Sequence, residues 1–127
     1  MKQRQYAFPA IGCLCVVMLT AFAALAWSAE EPAAPAEQEI RITAKKFQYA
    51  PNEITVRKGV PVVLRITSQD VLHGFFCPGL KIRMDILPGR ENVLRFTPDK
   101  EGVFPFHCDN FCGMGHGEMT GTITVTP

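Results

Sequence analysis

The chain has 127 residues, with thirteen Lys or Arg against twelve Asp or Glu and a formal net charge of +1. That length holds one small domain and little else. The near balance of charge, with no basic cluster, argues against nucleic acid as a partner.

The first segment stands apart from the rest. Lys2 and Arg4 open it, and the stretch from Tyr6 to Ala29 is apolar apart from a few small polar residues. Small residues at Ala26–Trp27–Ser28–Ala29 offer a cleavage site, so residues 1–29 read as a secretory signal peptide. The apolar run also approaches the ~20 residues that span a bilayer, and a retained membrane anchor through residues 6–29 is the alternative. Both put the remaining chain outside the cytoplasmic membrane, periplasmic or otherwise extracytoplasmic, soluble or tethered. Lipid attachment at Cys13 fits less well, because Ala10–Ile11–Gly12–Cys13 lacks a leading Leu and most of the apolar run follows it. Residues 30–38 form a Pro/Ala/Glu linker with nothing to bury. Residues 39–127 remain, about 90, enough for one core.

Almost all of that domain reads as strand. Glu39–Ala44 alternates apolar and polar residues, as a half-buried strand does. Asn52–Val56 leads into a Lys58–Gly59 turn, and Val60–Thr67 follows, rich in β-branched residues. Asn92–Thr97 and Gly121–Thr126 alternate again, with turn chemistry at Pro88–Gly89, Thr97–Pro98–Asp99 and Glu101–Gly102. No window carries an amphipathic helix. Short strands at such spacing predict an all-β Greek-key sandwich or barrel. In that fold His73 is expected on one loop, and the Cys108–Met119 cluster on the loop before the last strand, at one end of the sheets.

The chemistry concentrates in that cluster. Between Cys108 and Met119 lie two thiols, Cys108 and Cys112, the imidazole of His116 and the thioether of Met119. A second imidazole, His73, stands upstream in Asp70–Val71–Leu72–His73–Gly74–Phe75. Soft sulfur beside imidazole selects copper, zinc or iron–sulfur over hard cations. The thioether narrows the choice, being a poor zinc ligand and a familiar weak axial ligand of copper. A plain Cys108–Cys112 disulfide leaves the aligned His and Met unexplained, and tetrahedral zinc on His73, Cys108, Cys112 and His116 leaves Met119 unused. The set reads as a copper site.

A C-terminal loop of Cys, His and Met with a distant upstream His resembles the cupredoxin fold. The extra Cys four residues before the second resembles its dinuclear copper, or CuA, branch. Thr67–Phe75, Asp85–Ile86–Leu87–Pro88–Gly89–Arg90 and Cys112–Gly113–Met114–Gly115–His116 with Met119 are similar to subunit II of haem–copper (cytochrome c) oxidases. The nearest flavour is the ba-type, where Gly follows the first His. The similarity covers most of the segment from Phe47 to Val125.

The resemblance implies roles. Cys108 and Cys112 would bridge two copper ions per chain, His73 would bind one and His116 the other. Met119 would be a weak axial ligand on one ion, and the backbone carbonyl of Asn110 on the other. Oxidase subunits often carry Glu at the position of Asn110, where the side chain helps bind magnesium against the catalytic subunit. A carbonyl ligand survives that change, whereas the magnesium link does not carry over. The implied function is one-electron transfer, with a cytochrome c-like or other redox donor and a terminal oxidase or reductase as acceptor. The protein would be a free-standing relay or a subunit II-like module rather than an enzyme in itself. Two other readings compete: a copper delivery or storage protein for oxidase assembly, and a mononuclear blue-copper carrier using His73, Cys112, His116 and Met119, which leaves Cys108 idle.

The remaining tempting residues have plainer expectations. Strand alternation turns His107 away from Cys108. Cys77 reads as a small buried hydrophobe. Met84 and Met114 read as packing or loop residues, and Asp85 as a residue that orders the loop by a salt bridge or hydrogen bonds. Lys81, Arg83 and Arg90 read as a solvated face. Phe75, Phe76, Phe104, Phe106 and Phe111 could line the site in place of a Trp, but most of them are expected to pack the core.

Overall fold

Alternation and turn chemistry decide which residues pair in the computed structural model, which describes Ala33 and residues 36 to 127. The signal or anchor reading of residues 1–29 and most of the linker lie outside the described residues. Nine strands follow in order: β1 (Gln38–Lys45), β2 (Gln48–Ala50), β3 (Glu53–Arg57), β4 (Val62–Ser68), β5 (His73–Cys77), β6 (Ile82–Ile86), β7 (Glu91–Phe96), β8 (Gly102–His107) and β9 (Thr120–Thr126). Among the described residues no helix is long and apolar enough to cross a membrane.

The strands form two sheets, one ordered β2-β1-β4-β7 and the other β3-β9-β8-β5-β6. Two pairs are parallel, β1 with β4 and β3 with β9. Parallel neighbours cannot be joined by a tight hairpin, so the chain crosses between sheets, the connectivity of a Greek-key sandwich. Ile54 and Val56 of β3, Ile123 and Val125 of β9, Ile42 and Ala44 of β1 and Leu64 and Ile66 of β4 point inward on alternate positions and share one apolar core. The Lys58–Gly59 and Pro88–Gly89 turns hold as expected, each with its Gly at φ 75°, a region that disfavours side chains with a Cβ.

Five strands coincide with the alternating segments to within a few residues. Three of the others differ from expectation. β5, β6 and β8 lie outside those segments, and of these β5, His73–Gly74–Phe75–Phe76–Cys77, is buried at four of its five positions. A strand covered on both sides shows no alternation to read. His73 accordingly opens strand β5 instead of lying on a loop.

The core beneath the cluster end is aromatic. The Phe75 and Phe106 rings lie 4.6 Å apart, and Tyr49 meets Phe106 edge-on at 5.1 Å. Phe106 is fully buried. Its truncation, Phe106→Ala, is expected to lower the stability of the metal-free protein by about 3–5 kcal/mol, measured by urea unfolding.

Candidate metal centre

β8 ends at His107 and β9 begins at Thr120, and these two residues pair directly. The twelve residues between them are therefore a loop with tethered ends, and the Cys108 N–H donates to the Met119 carbonyl at 3.0 Å. β5 pairs with β8 only at Phe76 and His107. The start of β5 consequently runs on past the end of β8, beside the beginning of the loop. There the Gly74 N–H donates to Cys108 Sγ at 3.3 Å, and the Asn110 amide donates to the His73 carbonyl at 3.3 Å. Gly74 permits this approach, because a Cβ on it would collide with the Asp109 side chain.

His73, Cys108 and Cys112 are all buried, and their ligand atoms lie within 4.8 Å of one another. The two sulfurs are 3.8 Å apart and unbonded. Met119 is fully buried with its sulfur 3.9 Å from Cys112 Sγ, and the Asn110 carbonyl oxygen lies 3.1 Å from Cys108 Sγ. His116 touches only one side of this group. Its Nδ1 is 3.7 Å from Cys112 Sγ, yet it stands outside the set of mutually close donors and is half-buried. Five of the six expected residues thus converge closely, and the sixth sits at the rim.

The donor chemistry fits copper. His73 Nε2 lies 2.6 Å from Asp70 Oδ1, which assigns the ring proton to that nitrogen. Nδ1 is then a bare lone pair, fully buried and without a hydrogen-bond partner among the described residues. A buried nitrogen with nothing to bond is rare. The ring lies beside two sulfurs, and a soft metal ion would complete that free nitrogen.

Asp70 stands in the segment that sequence alone singles out, but only the fold gives it a role. Burial pushes its carboxyl upward, but the Lys46 N–H, His73 and the Val71 N–H outweigh this and hold its pKa at about 2. A fixed carboxylate behind an imidazole is the usual way a ligand ring is oriented and made more basic. The signal was present as Asp70–x–x–His73, a spacing that closes one turn. Burial, then the neighbouring Cys108, pushes the Cys112 thiol above its ordinary range, so metal binding must displace a proton there.

Around the rim, Asp85 orders the loop as expected. It accepts from Arg83 at 2.7 Å and from the Asn110 amide at 2.8 Å, and these two hold its carboxyl below the ordinary value. Arg83 also donates to Asp109 at 2.6 Å, so it braces the loop and is not part of a merely solvated face. His107 is exposed and Cys77 is buried, both as expected. Phe75 and Phe106 pack the core, whereas Phe111 is exposed beside His116, the rings 5.9 Å apart.

Fold and donor set together define a cupredoxin-like domain with a cluster of soft donors at one end. The chain belongs to the cupredoxin-like domain family, whose model matches residues 16–125. Within that family it is 40% identical over 91 residues to cytochrome c oxidase subunit 2 of Thermus thermophilus, which takes in 72% of this chain and 67% of the relative. Against the cytochrome c oxidase subunit 2 of a named strain of the same organism the stretch covers 54% of the relative, so the chain spans about half its length. Among solved structures it resembles the periplasmic domain of subunit II of cytochrome oxidase (CoxB) of Bradyrhizobium japonicum. The TM-score is 0.65 and the identity 25%, covering 73% of this chain and 87% of that one. The metal binding domain of the Streptococcus pneumoniae Cu(I) exporting P-type ATPase CopA, with Cu(I), is also similar. There the TM-score is 0.58 and the identity 30%, covering 72% and 87% of the two chains.

Asp70→Asn keeps the shape of the side chain and removes its charge. It is expected to weaken copper binding by about 10–100-fold, read by competition with a chelator.

Proposed function

We propose that this domain is a one-electron carrier built on a dinuclear CuA centre outside the cytoplasmic membrane. The observation that carries the reading is His73, its Nδ1 buried and unpartnered, clustered with two free thiols, with the Met119 sulfur and the Asn110 carbonyl on their flanks. Cys108 and Cys112 would bridge the two ions, and His73 and His116 would each hold one. Met119 and the Asn110 carbonyl would be the weak outer ligands. Copper held by these residues would supply one-electron uptake and release with little rearrangement of its donors. The chain's own contribution is to keep the sulfurs buried, to orient His73 through Asp70, and to leave His116 at the surface as the side from which electrons enter.

Geometry weighs against the simpler centres. One tetrahedral ion would need both imidazoles close to both sulfurs, and His116 lies outside the mutually close set. A mononuclear site would leave Cys108 unused, although it is buried beside His73 and accepts the Gly74 N–H. Similarity to cytochrome c oxidase subunit 2 supports a cytochrome c-like donor and a terminal oxidase or reductase as acceptor, with the domain acting as a relay or a subunit II-like module. Likeness to a Cu(I)-holding exporter domain supports a second reading, copper delivery. Carrier and delivery protein differ in whether copper stays bound through repeated oxidation and reduction or passes to a weak chelator.

The full chain, reduced and then loaded with copper, is expected to bind two ions, turn purple and show an electron-spin spectrum with the unpaired electron shared equally. Cys108→Ser is expected to abolish that spectrum. A blue single-copper spectrum that survives Cys108→Ser would establish the mononuclear reading instead.

A further inference from the structure

Three of the four residues from Lys46 to Tyr49, at the β1–β2 hairpin, reach segments that carry the donors. The Lys46 N–H donates to Asp70, which holds His73. The Phe47 ring fills the space that a Cβ on Gly113 or Gly115 would need, in the stretch between Cys112 and His116. Tyr49 reaches furthest. It is 3% exposed, and its hydroxyl donates to the Gly74 carbonyl at 2.5 Å. Its ring is wedged edge-on against Phe75 at 6.0 Å and Phe106 at 5.1 Å, so the hydroxyl has little freedom to turn elsewhere.

Gly74 is the residue whose N–H donates to Cys108 Sγ. It has no side chain of its own to anchor it, and although it pairs with Asp85 on the β6 side, it lies beyond the last β5–β8 pair, so its N–H and carbonyl go to Cys108 and Tyr49 rather than to a strand. A backbone held neither by a side chain nor by a full ladder keeps its aim only if its carbonyl is tied. We propose that Tyr49 is a positioning residue for the copper centre, holding Gly74 so that its amide stays on the Cys108 sulfur; this rests on the copper reading above. An N–H aimed at a bridging sulfur withdraws charge from it and stabilises the reduced state, so its loss lowers the reduction potential.

Tyr49→Phe keeps the ring and removes only the hydroxyl. Val56→Ala, a core truncation in β3, serves as the comparison that destabilises without touching this contact. In the metal-free full chain, amide exchange at Gly74 is expected to speed up in Tyr49→Phe by roughly two- to tenfold beyond Val56→Ala, the loss of one hydrogen bond. In the copper-loaded chain the reduction potential is expected to fall in Tyr49→Phe and to stay unchanged in Val56→Ala. Equal Gly74 exchange in the two variants would overturn the proposal, as would an unshifted potential in Tyr49→Phe. In the unaltered chain the Tyr49 hydroxyl proton should itself exchange slowly, and fast exchange there would overturn the proposal without any variant. If the unaltered chain binds copper without a dinuclear spectrum, the carrier reading fails, and exchange at Gly74 still decides the role of Tyr49.

Discussion

The contact between Asp70 and His73 is the constraint on which the site depends. It engages the Nε2–H as a hydrogen-bond donor and so leaves Nδ1 bare in a place where water cannot reach it. Leaving a buried lone pair unpartnered costs stability, and the domain sustains that cost because the carboxylate itself is anchored by two backbone N–H groups, from Lys46 and Val71. Without the anchored carboxylate the imidazole would be free to turn over and satisfy its nitrogens elsewhere.

The opposite wall is built on a different principle. Cys108 and Cys112 sit on a loop whose two ends are tied by β8–β9 pairing and by the Cys108 to Met119 backbone bond. Arg83 and Asp85 of β6 brace it through Asp109 and Asn110, while Phe47 fills the hollow left by two glycines. Rigid packing thus surrounds the sulfurs and His73, and of the His, Cys and Met donors only His116 is half-buried at the boundary with solvent. For electron transfer this division is apt. In the proposed carrier, donors that cannot move much would keep reorganisation small, and a donor at the rim would give a short path outward.

Much of this was legible in the sequence, for identifiable reasons. β1, β3, β7 and β9 announce themselves because one face of each is wet, which writes alternation into the residues. The five donor side chains were legible because few other arrangements use Cys, His and Met at those spacings; Asn110 came from resemblance alone. β5 was not legible, since a strand buried on both faces reads as an apolar run, and His73 was therefore expected on a loop. Tyr49 was invisible for another reason: it lies some 25 positions from Gly74 in the chain, and only the folding of one sheet over the other brings its hydroxyl to that carbonyl. Arg83 looked like any exposed cation until Asp109 arrived beside it.

The central claim is that the cluster works as one redox unit rather than as separate metal sites. Counting electrons during an anaerobic reductive titration of the copper-loaded chain tests this most directly. One electron taken up per chain, with two copper ions bound throughout, is the expected result. Uptake of two electrons, or of one electron by a chain holding a single copper, would contradict it.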